Sequence, residues 1–136
     1  MTIVVMPRRW IVLAILLCFL GNGFLSCEGC LTTKGKEFVL SFLETFNNEP
    51  RLYITSDSQT SVTIEAPADG WSTTVDVSPH EKVIVTLPRS SVEMSGSQPD
   101  NKAVYVTSDK DISILAVSGE PGLITGTYRA LPITFL

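Results

Sequence analysis

Cys27 and Cys30 stand in the spacing Cys27-Glu28-Gly29-Cys30, the one arrangement of thiols in this chain that suggests chemistry. A redox-active pair of this kind needs a βαβ context and a helix N-terminus to stabilise the thiolate. The sequence that follows is β-type instead. The pair is therefore read as a structural disulfide, internal or to another chain, in an oxidising compartment. His80 is the only histidine and falls in the turn Ser78-Pro79-His80-Glu81. A general base needs a nucleophile and an orienting acid beside it, and no such set accompanies His80. Asp57, Asp109 and Asp111 offer carboxylates, but calcium takes six or more oxygens in a defined loop. Their Ser-Asp context is turn chemistry, in which the carboxylate accepts nearby backbone N–H groups. Tyr53, Trp71, Tyr105 and Tyr128 could line a binding platform, although aromatics in small β domains more often pack across strands. Trp71, directly after Pro67-Ala68-Asp69-Gly70, is the best placed for the surface. The residues thus indicate a disulfide at Cys27 and Cys30, a binding surface around Trp71, Asp57 and Asp109, and no catalytic, cofactor or metal site.

The elements that must hold these residues begin with an address. Arg8 and Arg9 precede the apolar run Trp10 to Leu20, which Gly21-Asn22-Gly23 interrupts. This is the order of a secretory signal peptide, and the run is too short to span a bilayer. The signal occupies residues 1–26, with cleavage between 23 and 29. Gly21 and Gly23 allow a cut before Phe24, and Cys27 and Gly29 allow one before Cys30. An uncleaved anchor, or a lipid on Cys27, is the tethered alternative. Of 136 residues, 10 are Lys or Arg and 14 Asp or Glu, a net charge of −4. Arg8 and Arg9 leave with the signal, which makes the mature chain two units more negative. That balance argues against nucleic-acid binding, which rests on a strongly basic surface.

From residue 31 the pattern is β. Residues 38–46 carry apolar side chains on both alternating sets, as for a strand buried on both sides, with a short helix as the alternative. Short β-prone runs follow at 52–55, 61–65, 71–77, 82–87, 103–107 and 112–117, separated by turn residues. The run 82–87 is expected to return beside 71–77 through a type I turn with Pro79 at its second position. Residues 89–101 read as an exposed polar loop, and a last strand is expected from 123 onward. Seven or eight short strands at this spacing indicate an all-β, antiparallel, β-sandwich-like domain. A shift of 52 residues lays Leu52-Tyr53-Ile54-Thr55-Ser56-Asp57 on Val104-Tyr105-Val106-Thr107-Ser108-Asp109. The repeated unit is expected to be a hairpin with a Thr-Ser-Asp turn.

Five segments in this order carry a resemblance. They are residues 34–42, 52–56, 77–83 leading to Leu87-Pro88, 101–108, and 112–116. Together they resemble the N-terminal domain of the IgGFc-binding proteins, over residues 31–136. The resemblance implies a secreted, non-enzymatic module of mucus or matrix type, with an extracellular protein or glycan as partner. Domains of that family run further than this chain, which implies a copy incomplete at its C-terminal end. No Fc-contact motif carries over to these residues. The competing class is a membrane-tethered, adhesin-like surface protein.

Overall fold

A computed structural model describes residues 32–45, 49–96, 101–119 and 126–135. The segment expected to be a signal peptide, with Cys27 and Cys30, lies outside the described residues. The strands are β1 (Gly35–Leu40), β2 (Phe42–Leu43), β3 (Arg51–Ser56), β4 (Thr60–Ala66), β5 (Trp71–Val77), β6 (Lys82–Thr86), β7 (Glu93–Met94), β8 (Val104–Ser118) and β9 (Gly126–Arg129). One helical turn, α1 (Arg89–Val92), and a 3₁₀ turn at Ile133–Phe135 complete the set. The fold class is all-β and antiparallel, as the alternation predicts; the short β2–β7 pair is parallel.

Three long, bent chain segments organise the sheet. The 15-residue β8 pairs with β4 through residues 105–108 and with β3 through residues 112–117. β3 and β4 therefore run end to end along one side of β8. β5 and β6 lie end to end in turn, pairing β4 and β3 respectively, with the pairing register unchanged from one to the other. On the far side of β8, β1 pairs its first half and β9 its second. The sheet thus has two four-stranded halves, β5–β4–β8–β1 and β6–β3–β8–β9, joined through a bend at 56–59, 78–81 and 109–111.

The bend follows from side-chain placement. Leu52, Ile54, Val62, Ile64, Val104, Val106, Ile112 and Ile114 come from both halves and are all essentially buried in one core cluster. They lie on the same face of the sheet throughout. Without a covering helix, that face is removed from water only if the two halves close over each other, the sandwich solution. Ladder bonds lost at the bend are replaced by hydroxyls. Ser56 Oγ donates to the Asp111 carbonyl (3.1 Å), and the Lys110 N–H donates to Thr60 Oγ1 (3.1 Å). Both hydroxyl residues are buried, so these bonds satisfy groups that would otherwise be costly to desolvate.

The structure corrects several sequence expectations. The repeated unit is not a hairpin: β3 does not pair β4, and Ser108–Asp111 lies within the continuous β8. Each copy is instead one half-and-half strand, and the two copies lie antiparallel, first part against second part. Likewise β5 and β6 are not partners. The Pro79 turn is of type II, since His80 has φ 65° and the Glu81 N–H reaches the Ser78 carbonyl (3.2 Å). The segment at 38–46 is one-sided, with Phe38, Leu40 and Phe42 buried but Val39 and Leu43 exposed. Residues 89–94 are not an open loop: Ser91, Val92 and Glu93 are buried beside Leu87. After β9 the chain bridges Pro132 to Phe38 and turns as a 3₁₀ element.

Candidate functional site

The bend gathers charged groups from separate chain segments. Lys34, Lys36, Asp57, Ser58, Lys110 and Asp111 line a shallow cleft there. Lys34 Nζ is ion-paired and hydrogen-bonded to Asp57 Oδ2. That contact holds the Asp57 carboxyl below its ordinary value, and the nearby His80 adds a smaller pull in the same direction. Asp57 is fully exposed, so the pair is solvent-screened and orders the corner more than it stabilises it. Asp109 sits on the exposed face of β8. Among the described residues no group of three or more His, Cys, Asp and Glu side chains is arranged to hold a metal. Trp71 begins β5, half-buried against the core cluster. Two of the three sequence-derived surface residues, Asp57 and Asp109, therefore fall in the bend, and Trp71 lies apart from them at a hairpin end.

A second polar cluster lies between β2, α1 and β7. Glu93 is buried, accepts from Arg89 Nε (2.9 Å) and accepts from Thr45 Oγ1 (2.8 Å). Arg89 also donates to the Thr45 carbonyl, and Lys102 Nζ to the Glu93 carbonyl (3.0 Å). Every oxygen of this carboxylate is engaged with its neighbours, so the arrangement is a clasp. It ties β7 to β2 at the end of the core. The Arg89–Glu93 spacing of four on a helical turn was a legible signal in the sequence, but burial was not.

The two outer faces differ in chemistry. On β6–β3–β8–β9 the pairing register aligns Ile84, Tyr53, Leu115 and Arg129 in one row. Ile84 is 50% and Leu115 37% exposed, so the row is an apolar stripe open to water. Lys82 Nζ sits 5.2 Å from the centre of the Tyr53 ring, within cation–π reach. Arg51 lies in the adjacent row, opposite Thr86 and Val117. Arg51, Lys82 and Arg129 thus surround the stripe, and the outward positions of this half carry no acidic residue.

On β5–β4–β8–β1 the outward positions are mostly Ser and Thr, with Thr63 and Thr74 hydroxyls 3.3 Å apart. Glu37, Glu65 and Asp76 add three carboxylates in the paired rows, while the exposed Lys36 and Lys110 lie on the same strands toward the bend. Val39 and Tyr105, paired in register, are the exposed apolar residues here. Sequence reasoning missed both faces, because the alternation shows which residues point outward but not which strands lie side by side.

Tyr128 closes the edge between the halves. It is in register with the buried Ala116, its ring centre is 6.4 Å from that of Phe42, and its hydroxyl donates to the Ser41 carbonyl (2.8 Å) while accepting from the Ser41 N–H (3.2 Å). Burial raises the phenol's pKa above 10.0, opposed in part by the bond to Ser41.

Comparison with known proteins gives one relationship at the level of sequence. The chain is 36% identical over 96 residues to the human (Homo sapiens) IgGFc-binding protein, across 65% of this chain. It spans about 2% of the length of that relative. No family model matches the chain, and no solved structure matches it. The findings establish a distant relationship to a segment of the IgGFc-binding protein, carried by an antiparallel all-β fold.

Proposed function

We propose that this chain is a secreted, non-catalytic extracellular module that binds protein through the outer face of β6–β3–β8–β9. The carrying observation is the outward row Ile84–Tyr53–Leu115, with Ile84 and Leu115 exposed and Tyr53 half-buried, ringed by Arg51, Lys82 and Arg129 on a chain whose net charge is negative. An apolar centre with a charged rim is the anatomy of a protein interface, and aromatic and Arg side chains are the usual energetic anchors. The relative's name records binding of another extracellular protein, which supports the same class. The N-terminal signal pattern supports secretion.

Two measurements test this reading. Intact mass of the product from a secreting host, with and without reductant, should show a chain in the medium cut between residues 23 and 30. Full-length or lipidated chain held only with membranes would instead establish the tethered alternative. A photo-crosslinking residue at position 84 should then yield adducts in the medium, and one at the turn residue Ala68 should not. Equal labelling from both positions, or none from 84, would remove the face from the proposal.

A further inference from the structure

We infer that the partner of the basic face is a second copy of this chain, bound head to tail through its acidic face. This deepens the proposed function and rests on it. The argument starts from charge. In the paired rows, the outward cations Arg51, Lys82 and Arg129 lie on one half and the outward carboxylates Glu37, Glu65 and Asp76 on the other. The two faces lie on opposite sides of one core and point away from each other. They cannot meet within a single chain, so their complementarity is satisfied only between chains.

Symmetry narrows the geometry. An isologous dimer through the basic face would set Arg51, Lys82 and Arg129 against their own copies. One through the acidic face would do the same with Glu37, Glu65 and Asp76. Like-charge juxtaposition of this kind is penalised. Only the heterologous pairing brings opposite charges together. It also places the Ile84–Tyr53–Leu115 row against the exposed Val39–Tyr105 pair. Each copy then offers one free face of each kind, so the contact propagates as an open chain unless its rotation closes a ring. The charges are exposed on both sides, so the association is weak and sensitive to salt.

The test uses the secreted chain in reductant, which prevents Cys27 and Cys30 from forming covalent dimers. Sedimentation velocity at low salt should show the mean mass rising with concentration. The association constant should fall about tenfold or more in about 0.5 M salt, where charges beyond a few ångströms are screened. A basic-face variant (Arg51→Glu, Lys82→Glu, Arg129→Glu) and an acidic-face variant (Glu37→Lys, Glu65→Lys, Asp76→Lys) should each be monomeric alone. Mixed, the all-acidic and all-basic variants are complementary at every face, so assembly should return. If the half-buried Arg51 makes the first variant fold poorly, the exposed pair Lys82→Glu and Arg129→Glu replaces it. A wild-type chain that stays monomeric at low salt overturns the inference. So does a mixture that does not assemble, or either variant assembling alone. Crosslinking at position 84 to a different protein, with a monomeric purified chain, leaves the binding face standing and removes only the self-association.

Discussion

Two residues hold the strand edges at the scale of single side chains. Tyr128 bonds both backbone groups of Ser41 through one hydroxyl. Tyr128→Phe removes that double contact and should cost about 1 kcal/mol, read by urea unfolding at neutral pH. The phenol also predicts an alkaline limb. Its folded-state pKa lies above 10.0, so the neutral form is favoured in the fold. That contribution is complete below pH 10 and is lost as pH rises through the folded value. The wild-type chain should therefore lose stability above pH 10 more steeply than Tyr128→Phe. Glu93 is the second such residue. Glu93→Ala leaves Thr45 and the half-exposed Arg89 without their carboxylate. Because Arg89 can still reach water, the loss should be about 2 kcal/mol, below that of a fully buried broken pair. The acid limb is a different matter: Asp57 is held below its usual value by Lys34, so its contribution is lost only as pH falls beneath the ordinary carboxylate range.

The elements themselves were largely legible in the sequence, but their partners were not. Val62 and Ile64, or Thr73, Val75 and Val77, announce one buried face by period two. The inward positions of β4 and β5 bear this out. The shift of 52 residues likewise marked a real internal correspondence. What alternation cannot encode is that Ser56–Gln59 and Ser108–Asp111, both rich in turn formers, bend a strand instead of reversing it. The sequence of a turn and that of a bend share Ser and Asp because both need side-chain oxygens to replace ladder bonds. The candidate face was illegible for the same reason, since Ile84, Tyr53 and Leu115 become neighbours only through register. One position at this scale is steric. A Cβ on Gly35 would lie 2.5 Å from Cβ and Cγ of Pro132. Gly35→Ala should push the Pro132 bridge off β1 and cost about 1–3 kcal/mol, as overpacking does. Pro132→Gly in the same background should recover part of the loss in a thermal melt.

At the scale of the whole molecule, the described unit is held by its core. All three cysteines, at 18, 27 and 30, precede Thr32. Reductant should therefore leave the thermal midpoint unchanged, while any covalent dimer through Cys27 or Cys30 dissociates. Pairings between β3 and β8, or β1 and β8, join residues 56 to 77 positions apart. Such non-local ladders predict folding on the slower scale typical of β-sandwiches, milliseconds to seconds. The bend has one more consequence, which concerns parity. Between the ladders of β8 with β3 and with β4, one chain contributes the five residues 57–61 and the other the three residues 109–111. The difference is even, so inward residues stay inward on both sides of the corner. Evolution can lengthen this corner in steps of two without disturbing the core. A single residue added between Asp109 and Asp111 would turn Ile112, Ile114 and Ala116 outward to water and bring Leu115 and Val117 in, inverting half of the sandwich at one stroke.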